Sequence, residues 1–167
     1  MTLGLLILRL VVGLTMAAHG AQKLFGWFGG YGLSGTGGFM EKLGFIPGRR
    51  NALFAGLAEF TGGLLLALGL ATPLAATLII SVMFVAVATI HAKNGYFNQN
   101  QGFEYNLLLA VVPLTITIIG AGPLSLDARM GFHDAGPLWG LAALVAALVG
   151  GAVQLASRRA PAAQKAN

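Results

Sequence analysis

Residues 52–91 read ALFAGLAEFTGGLLLALGLATPLAATLIISVMFVAVATIH, and this stretch decides the fold. It contains a single charged side chain, that of Glu59. A helix needs about 20 apolar residues to cross a hydrocarbon core, so the stretch is long enough for two crossings. Gly69 and the segment Ala71-Thr72-Pro73 interrupt it, because glycine and proline favour a turn over a helix interior. The stretch therefore predicts two antiparallel membrane helices, at residues 52–71 and 73–91.

Three further apolar stretches lie outside this pair, at residues 3–20, 105–122 and 137–156. Of the 167 residues, 56% are hydrophobic and only 9% are charged, whereas soluble domains carry about 25% charged residues. A soluble chain of this size has too little interior to hide so much apolar side chain. We therefore expect an all-α fold, an integral membrane helical bundle with the lipid bilayer as its first partner.

The absence of cysteine and the distribution of charge exclude several classes of function. There is no cysteine, so the chain has no disulfide, no thiolate chemistry and no Cys-ligated metal centre. The net charge is +5, but the basic residues are spread over loops and the tail and form no stripe that favours nucleic acid as a partner. Any redox role then requires a bound cofactor, a quinone or a partner protein.

Basic residues in short loops report the orientation of a membrane protein, because they favour the cytoplasmic side. With five spans, the first loop, the third loop and the tail share one side. That side carries Lys23, Lys42, Arg49, Arg50, Lys93, Arg158, Arg159 and Lys165, and the other side carries Arg129. The distribution predicts a multi-pass protein with its N-terminus outside and its C-terminus in the cytoplasm. A four-span arrangement weakens this bias.

Ionisable residues inside membrane helices are costly and usually functional, and here most of them are predicted to gather at one end of the bundle. Successive helices reverse direction, so the ends of the first and third spans meet the starts of the second and fourth. Those positions hold His19, Lys23, Glu59, His91, Asn94, Glu104, Tyr105 and Asn106. The same side is cytoplasmic in the predicted orientation.

Arg9 lies nearer the opposite end of the first span. From the helical rise, its depth is predicted to differ from that of Glu59 by only about 6 Å. We expect an Arg9–Glu59 ion pair, because pairing lowers the cost of both charges in lipid. One interpretation is a purely structural bridge. The other is a ligand site in which Arg9 binds an anion or a quinone carbonyl and Glu59 relays a proton.

Two further features leave alternatives open. The set His19, Glu59, His91 and Glu104 offers imidazole and carboxylate ligands for zinc or iron, but no pair has a short ligand spacing, so the metal signal is weak. The first loop is rich in glycine and aromatic residues, and a short interfacial helix is predicted at residues 39–45. That loop is either an interfacial anchor or a flap over a site between the helices.

The motifs resemble those of the DoxX family of bacterial membrane proteins. They are LRL at 8–10, HGAQKLFGWFGG at 19–30, GLAEFTGG at 56–63, HAKNGYF at 91–97, EYN at 104–106 and GAGPLSLD at 120–127. The resemblance implies a four-helix core at residues 1–127 in the bacterial inner membrane. On this view, residues 128–157 add a fifth C-terminal transmembrane helix and residues 158–167 form a basic tail.

The resemblance also implies a function. Some members of the family are described as subunits of a membrane thiosulfate:quinone oxidoreductase, and others belong to membrane oxidoreductase complexes linked to thiol and oxidative stress. We therefore expect a membrane subunit of a quinone-linked oxidoreductase, with a soluble or membrane partner as electron donor. The expected quinone ligands are Arg9, His19, Lys23, Glu59, His91, Asn94, Glu104 and Tyr105, with Glu59, His19 and His91 as candidate proton carriers.

Three alternatives remain open at this point: a non-enzymatic scaffold or assembly factor, a small transporter, and a metal-binding membrane protein. The transporter is disfavoured because the sequence shows neither an inverted repeat nor a pair of broken helices. Whether the chain catalyses a reaction itself, and whether it forms a homo-oligomer, is not decided by the sequence.

Overall fold

The structure, a computed structural model, describes residues 2–159, and the last eight residues of the predicted basic tail, Lys165 among them, lie outside this range. The described residues form an all-α bundle, as the sequence predicts. Its helices are α1 (Thr2–Phe25), α2 (Gly32–Lys42), α3 (Gly48–Leu68), α4 (Thr72–Ala86), α5 (Glu104–Ile119), α6 (Leu126–Met130) and α7 (Pro137–Ala156). Helix α4 continues through a π-helical turn, Val87–His91, and a 3₁₀ turn, Ala92–Asn94.

Within residues 2–159, four helices are long and apolar enough to cross a membrane. They are α1, α3, α7 and α4 with its continuation to Asn94. Helix α5 is also apolar but has only 16 residues. It nevertheless runs the length of the bundle, because Tyr105 near its start lies beside His19 and Gly136 N donates a hydrogen bond to Thr117 O near its end.

Helix α7 is an integral part of the bundle, since it packs along α4 and also contacts α5. Its C-terminal end meets the turn between α2 and α3. There the backbone N–H of Arg159 donates to Gly44 O over 2.8 Å, and Arg158 Nε donates to Leu43 O over 2.8 Å. The first loop and the C-terminal end of α7 therefore lie at the same end of the bundle.

The closest helix contact is the seam between α1 and α3, where glycines allow the two backbones to touch. A Cβ added at Gly13 would lie 2.6 Å from both Gly63 O and Ala67 N. A Cβ added at Gly20 would lie 2.7 Å from Gly56 O. Small residues permit this approach in lipid, where packing and hydrogen bonds rather than the hydrophobic effect hold helices together. The seam fixes the register of α1 on α3.

The turn between α3 and α4 is held by a distant carboxylate, that of Asp127 on α6. Its oxygens accept hydrogen bonds from Ala71 N at 2.7 Å, from Thr72 N at 3.1 Å and from Thr72 Oγ1 at 2.6 Å. The backbone N–H of Asp127 in turn donates to Gly69 O over 2.8 Å. Asp127 therefore satisfies the free N–H groups at the start of α4.

Replacing Asp127 by alanine is expected to lower the free energy of unfolding by about 2 kcal/mol, because the N–H groups that it caps become unsatisfied in a buried turn. Asp127→Asn retains one acceptor oxygen, so it should cost less. The thermal midpoint of the detergent-solubilised protein measures both changes. Asp134→Ala is the control, since Asp134 is exposed; equal losses for Asp127→Ala and Asp134→Ala would contradict the capping role.

Helix α2 corrects the predicted short helix at residues 39–45. The helix spans Gly32–Lys42, and Phe45 lies after it in a turn with 1% of its surface exposed. A glycine-rich segment has low intrinsic helix propensity, but here tertiary packing overrides it. A Cβ at Gly37 would lie 3.0 Å from the backbone of Arg49, so the missing side chain lets α2 lie close against the start of α3.

Candidate functional site: a polar cavity at one end of the bundle

A cavity of about 500 Å³ lies among the helix ends that the sequence predicted to converge. Its walls come from the last turns of α1, α4 and α7, the first turns of α3 and α5, and one face of α2. The volume is within the range of about 300–1,000 Å³ that is typical of small-molecule pockets. Most of the lining is apolar, including Phe39, Phe54, Val82, Met83 and Leu109.

A buried ion pair between Lys23 and Glu59 lies on the wall of the cavity that α1 and α3 form. The Glu59 side chain is 2% exposed and that of Lys23 is 26% exposed. Glu59 Oε2 accepts the hydrogen bond from Lys23 Nζ, and no described residue donates to Oε1. The pair thus extends from the aqueous end of the bundle into the cavity.

The predicted Arg9–Glu59 ion pair is wrong, and the helix register explains why. The depth estimate from the sequence assumed that the end of the first span, residue 20, is level with the start of the second, residue 52. The structure instead places Gly20 against Gly56 and Phe60. Arg9 consequently lies beside Gly69. Gly69 is ten residues beyond Glu59, which is about 15 Å of helix. An arginine side chain does not cover that distance.

Arg9 instead lies at the opposite end of the bundle, and it does not line the cavity. Its side chain is 1% exposed. Nη1 donates to Ala121 O over 2.5 Å and Nη2 donates to Leu124 O over 2.6 Å. The guanidinium therefore ties the loop after α5 to α1, and Arg9 is not placed to bind a ligand in the cavity beside Glu59.

His19 and Tyr105 form a second polar group on the cavity wall. Their rings meet edge to face, with centroids 6.3 Å apart. His19 is four residues before Lys23, so both side chains project from the same face of α1. The wall of α1, α3 and α5 thus combines an imidazole, an ammonium, a carboxylate and a phenol.

His91 reaches the cavity from the π-helical turn that ends α4, and its Nδ1 lies 2.7 Å from Gln101 O. Asn94 and Glu104 were also predicted as ligands, but they lie outside the lining. Asn94 Nδ2 donates to Gln101 O over 3.2 Å, and Glu104 Oε2 accepts from Asn98 N over 2.9 Å. Both side chains shape the loop beside His91 rather than the cavity itself.

The structure does not gather the four weak metal candidates into one site. Glu59 is paired with Lys23, and Glu104 is engaged by the loop backbone. Among residues 2–159, no group of three or more His, Cys, Asp or Glu side chains is arranged to hold a metal ion. Among the polar side chains that line the cavity, Lys23 pairs with Glu59 and Gln154 pairs with Asn51.

Two uncharged polar residues of the cavity, Asn51 and Gln154, were not singled out from the sequence, whereas Asn106 was predicted at this end of the bundle. Gln154 of α7 donates from Nε2 to Asn51 Oδ1 over 2.7 Å, and Asn51 donates to Pro47 O over 2.8 Å. Asn106 is 8% exposed, with a weak contact to Met83 Sδ at 3.5 Å. A single Asn or Gln near a helix end forms no recognisable motif, so the sequence does not indicate that its side chain lines a site.

Helix α2 covers the cavity on its aqueous side through Thr36, Phe39 and Met40. The adjacent side chains of Leu43 and Phe45 complete this wall. The first loop is therefore part of the site, which favours the flap over a simple interfacial anchor. Exposed aromatic residues precede α2, and Trp27, Phe28 and Tyr31 are all more than half exposed, a pattern suited to the membrane interface.

Comparisons with known proteins give a matching family model and a similar bacterial protein. The model of the family described as DoxX matches residues 4–92, which run from α1 to the 3₁₀ turn after α4. A protein of Bacillus subtilis (strain 168), named "Putative oxidoreductase CatD", is 32% identical over 125 residues, which make up 75% of this chain and 85% of that protein. The search of solved structures found no match.

Proposed function

Because this chain belongs to the DoxX family, we propose that it is the membrane subunit of a quinone-linked oxidoreductase complex and that the cavity beside Glu59 is its quinone site. The observation that carries the proposal is the cavity of about 500 Å³, in which the Lys23–Glu59 pair and a few further polar groups face a mainly apolar lining. The name of the Bacillus subtilis relative supports an oxidoreductase context.

A quinone matches the chemistry of this cavity. Its ring and tail are apolar and suit the side chains of Phe39, Phe54 and Leu109. Its two carbonyl oxygens accept hydrogen bonds, and the ammonium of Lys23 and the phenol of Tyr105 are donors. A few placed polar groups in a mainly hydrophobic pocket are the usual means of orienting such a ligand.

Reduction of a quinone consumes two electrons and two protons, and it converts both carbonyls into hydroxyls. This chain has no cysteine, so it does not supply the electrons through a thiol. We propose that a partner oxidises two thiols to a disulfide, which releases two electrons and two protons. The residues of this chain then bind the quinone, orient it and deliver protons to its oxygens.

The proposed location is the bacterial inner membrane, with the cavity on the cytoplasmic side. The end of the bundle that holds the cavity also holds Lys42, Arg49, Arg50, Lys93, Arg158 and Arg159, whereas the opposite loops hold Arg129. This asymmetry supports the orientation. The electron-donating partner then binds from the cytoplasm or within the membrane.

Reporter fusions test the orientation. A fluorescent protein that folds only in the cytoplasm should be bright when fused after α7 and dark when fused after Gly131, because α7 provides the last crossing. A protease-sensitive tag at the N-terminus should be cleaved from outside the cell. Protection of that tag, or equal brightness of the two fusions, would contradict the proposed orientation.

Filling the cavity tests the quinone site. Ala58 lines the cavity, and Leu57 beside it is exposed on the outer surface of α3. We expect Ala58→Trp to abolish binding of a decyl-benzoquinone to the purified protein in calorimetric titration. Leu57→Trp, the matched control, should bind as the wild type does. Equal binding by the two variants would overturn the proposed site.

The same titrations distinguish the principal alternative. If neither the wild type nor Leu57→Trp binds the quinone, and organic extraction of the purified protein yields none, the cavity is not a quinone site. If such a quinone-free protein still maintains the cellular level of a partner, the scaffold function is favoured instead.

A further inference from the structure

The loop between α4 and α5, residues 95–103, is fixed beside His91 by its own backbone. Phe103 N donates to Gly95 O over 3.2 Å, and Glu104 N donates to Tyr96 O over 2.9 Å. Glu104 Oε2 accepts from Asn98 N at 2.9 Å. The loop is therefore a closed unit that presents fixed backbone groups to the end of α4.

Gln101 is the strained residue of this loop. Its backbone has φ 60° and ψ 27°, a left-handed conformation that is uncommon for residues other than glycine. In this conformation its carbonyl oxygen accepts hydrogen bonds from His91 Nδ1, at 2.7 Å, and from Asn94 Nδ2, at 3.2 Å. Strain of this kind persists where the surrounding structure holds it and is concentrated at functional sites.

The hydrogen bond to Gln101 determines the tautomer of His91. A carbonyl oxygen only accepts, so the hydrogen must lie on Nδ1 of the imidazole. In the neutral ring, Nε2 then carries a lone pair and is an acceptor. No described residue hydrogen-bonds Nε2, and His91 lines the cavity. The π-helical turn that ends at His91 is itself a feature found often at functional sites.

We infer that Gln101 is a positioning residue that presents His91 Nε2 as the proton-exchanging group for one oxygen of the bound quinone, while the Lys23–Glu59 pair serves the other oxygen. This inference rests on the proposed quinone function. On this inference, the two protons of the reaction come from two walls of the cavity: one from His91 at the end of α4, and one from the Lys23–Glu59 pair on α1 and α3.

In the direction of reduction, two electrons arrive from the thiol-oxidising partner. The imidazolium of His91 transfers its Nε2 proton to one quinone oxygen and becomes the neutral Nδ1–H tautomer. Lys23 Nζ transfers a proton to the other oxygen. Both groups regain protons from the aqueous end, where Lys23 is 26% exposed and where the two protons released by the thiol oxidation are taken up. The new hydroxyl then donates its hydrogen bond to Nε2, so the tautomer in the structure is complementary to the quinol.

Nitrogen-15 NMR of histidine-labelled protein tests the tautomer directly. The imidazole signals of His91, assigned by their loss in His91→Phe, should show a protonated Nδ1 and an unprotonated Nε2 at a pH where the ring is neutral. Gln101→Gly should preserve this pattern, because glycine accepts positive φ. Gln101→Val should produce a mixture of tautomers, since a β-branched residue disfavours that backbone, whereas the matched control Gln99→Val should not.

Binding measurements test the link to the ligand. We expect His91→Phe to lower the ratio of decyl-benzoquinol affinity to decyl-benzoquinone affinity by about tenfold, because only the quinol donates to Nε2. Gln101→Val should change the ratio in the same direction and Gln99→Val should leave it unchanged. A protonated Nε2 in the wild type, or an unchanged ratio in His91→Phe, would overturn the inference while quinone binding itself persists. Failure of the wild type to bind either ligand would instead overturn the proposed function.

Discussion

Replacing Gly13 by leucine is expected to separate α1 from α3 and to prevent assembly of a stable bundle. Backbone atoms of Gly63 and Ala67 lie 2.6 Å from the position of the added Cβ, and the backbone cannot give way as a flexible side chain does. Overpacking costs about 1–3 kcal/mol even in adaptable cores, and here we expect about 3 kcal/mol or more. Size-exclusion chromatography of the detergent extract, combined with its thermal midpoint, measures the loss.

Gly4→Leu is the matched control for this substitution. Gly4 lies on the same helix, and no atom within 4 Å would meet an added Cβ. It adds the same apolar side chain to α1 but leaves the seam intact, so its elution profile and thermal midpoint should match those of the wild type. A Gly13→Leu protein as stable as Gly4→Leu would show that close contact at the seam is not required.

Removing Lys23 is the second change with a large expected effect. Lys23→Ala leaves the carboxylate of Glu59, which is 2% exposed, without its cation. Breaking a buried ion pair by removing one partner costs about 3–5 kcal/mol, and we expect the lower figure because the pair is only partly buried on the Lys23 side. Glu59→Gln should cost about 1 kcal/mol, since Lys23 is partly exposed and can turn its ammonium towards the interface.

A double-mutant cycle separates this pairing from the effects of the individual side chains. The variant with both Lys23→Met and Glu59→Gln should recover most of the stability that Lys23→Met alone loses, because no unpaired charge remains. The thermal midpoints of the two single variants, the double variant and the wild type complete the cycle. Simple additivity of the single effects, or a smaller loss for Lys23→Ala than for Glu59→Gln, would show that the pair is not coupled as the structure indicates.

The arrangement of the helices was largely predictable because length and hydropathy alone identify apolar helices. Helix α7 begins and ends at the predicted residues, 137 and 156. The convergence of His19, Glu59, His91 and Tyr105 was also predictable, since antiparallel helices bring alternate ends together whatever their exact packing.

The pairing of charges was not predictable because it depends on helix register. A shift of a few residues between α1 and α3 decides whether Glu59 meets Lys23 or Arg9, and that shift is set by backbone contacts at Gly13 and Gly20. The glycines were visible in the sequence, but their partners on α3 were not. A hydrophobic pattern alone contains no information about such a register.

The roles of α2 and Asp127 were hidden for a related reason. Helix α2 forms from a glycine-rich segment because it packs against the start of α3, and local propensity gives no sign of it. Asp127 binds a turn that is 55 residues away in the chain. Contacts at such separations are properties of the folded bundle and not of any local motif.

The position of α7 has a consequence for the biosynthesis of this protein. A polypeptide leaves the ribosome from its N-terminus, so α7 is the last of the described helices to enter the membrane. Until then, the side of the cavity that Gly150 and Gln154 close faces lipid, and the partner of Asn51 is missing. The wall that α7 contributes is thus the last part of the cavity to form.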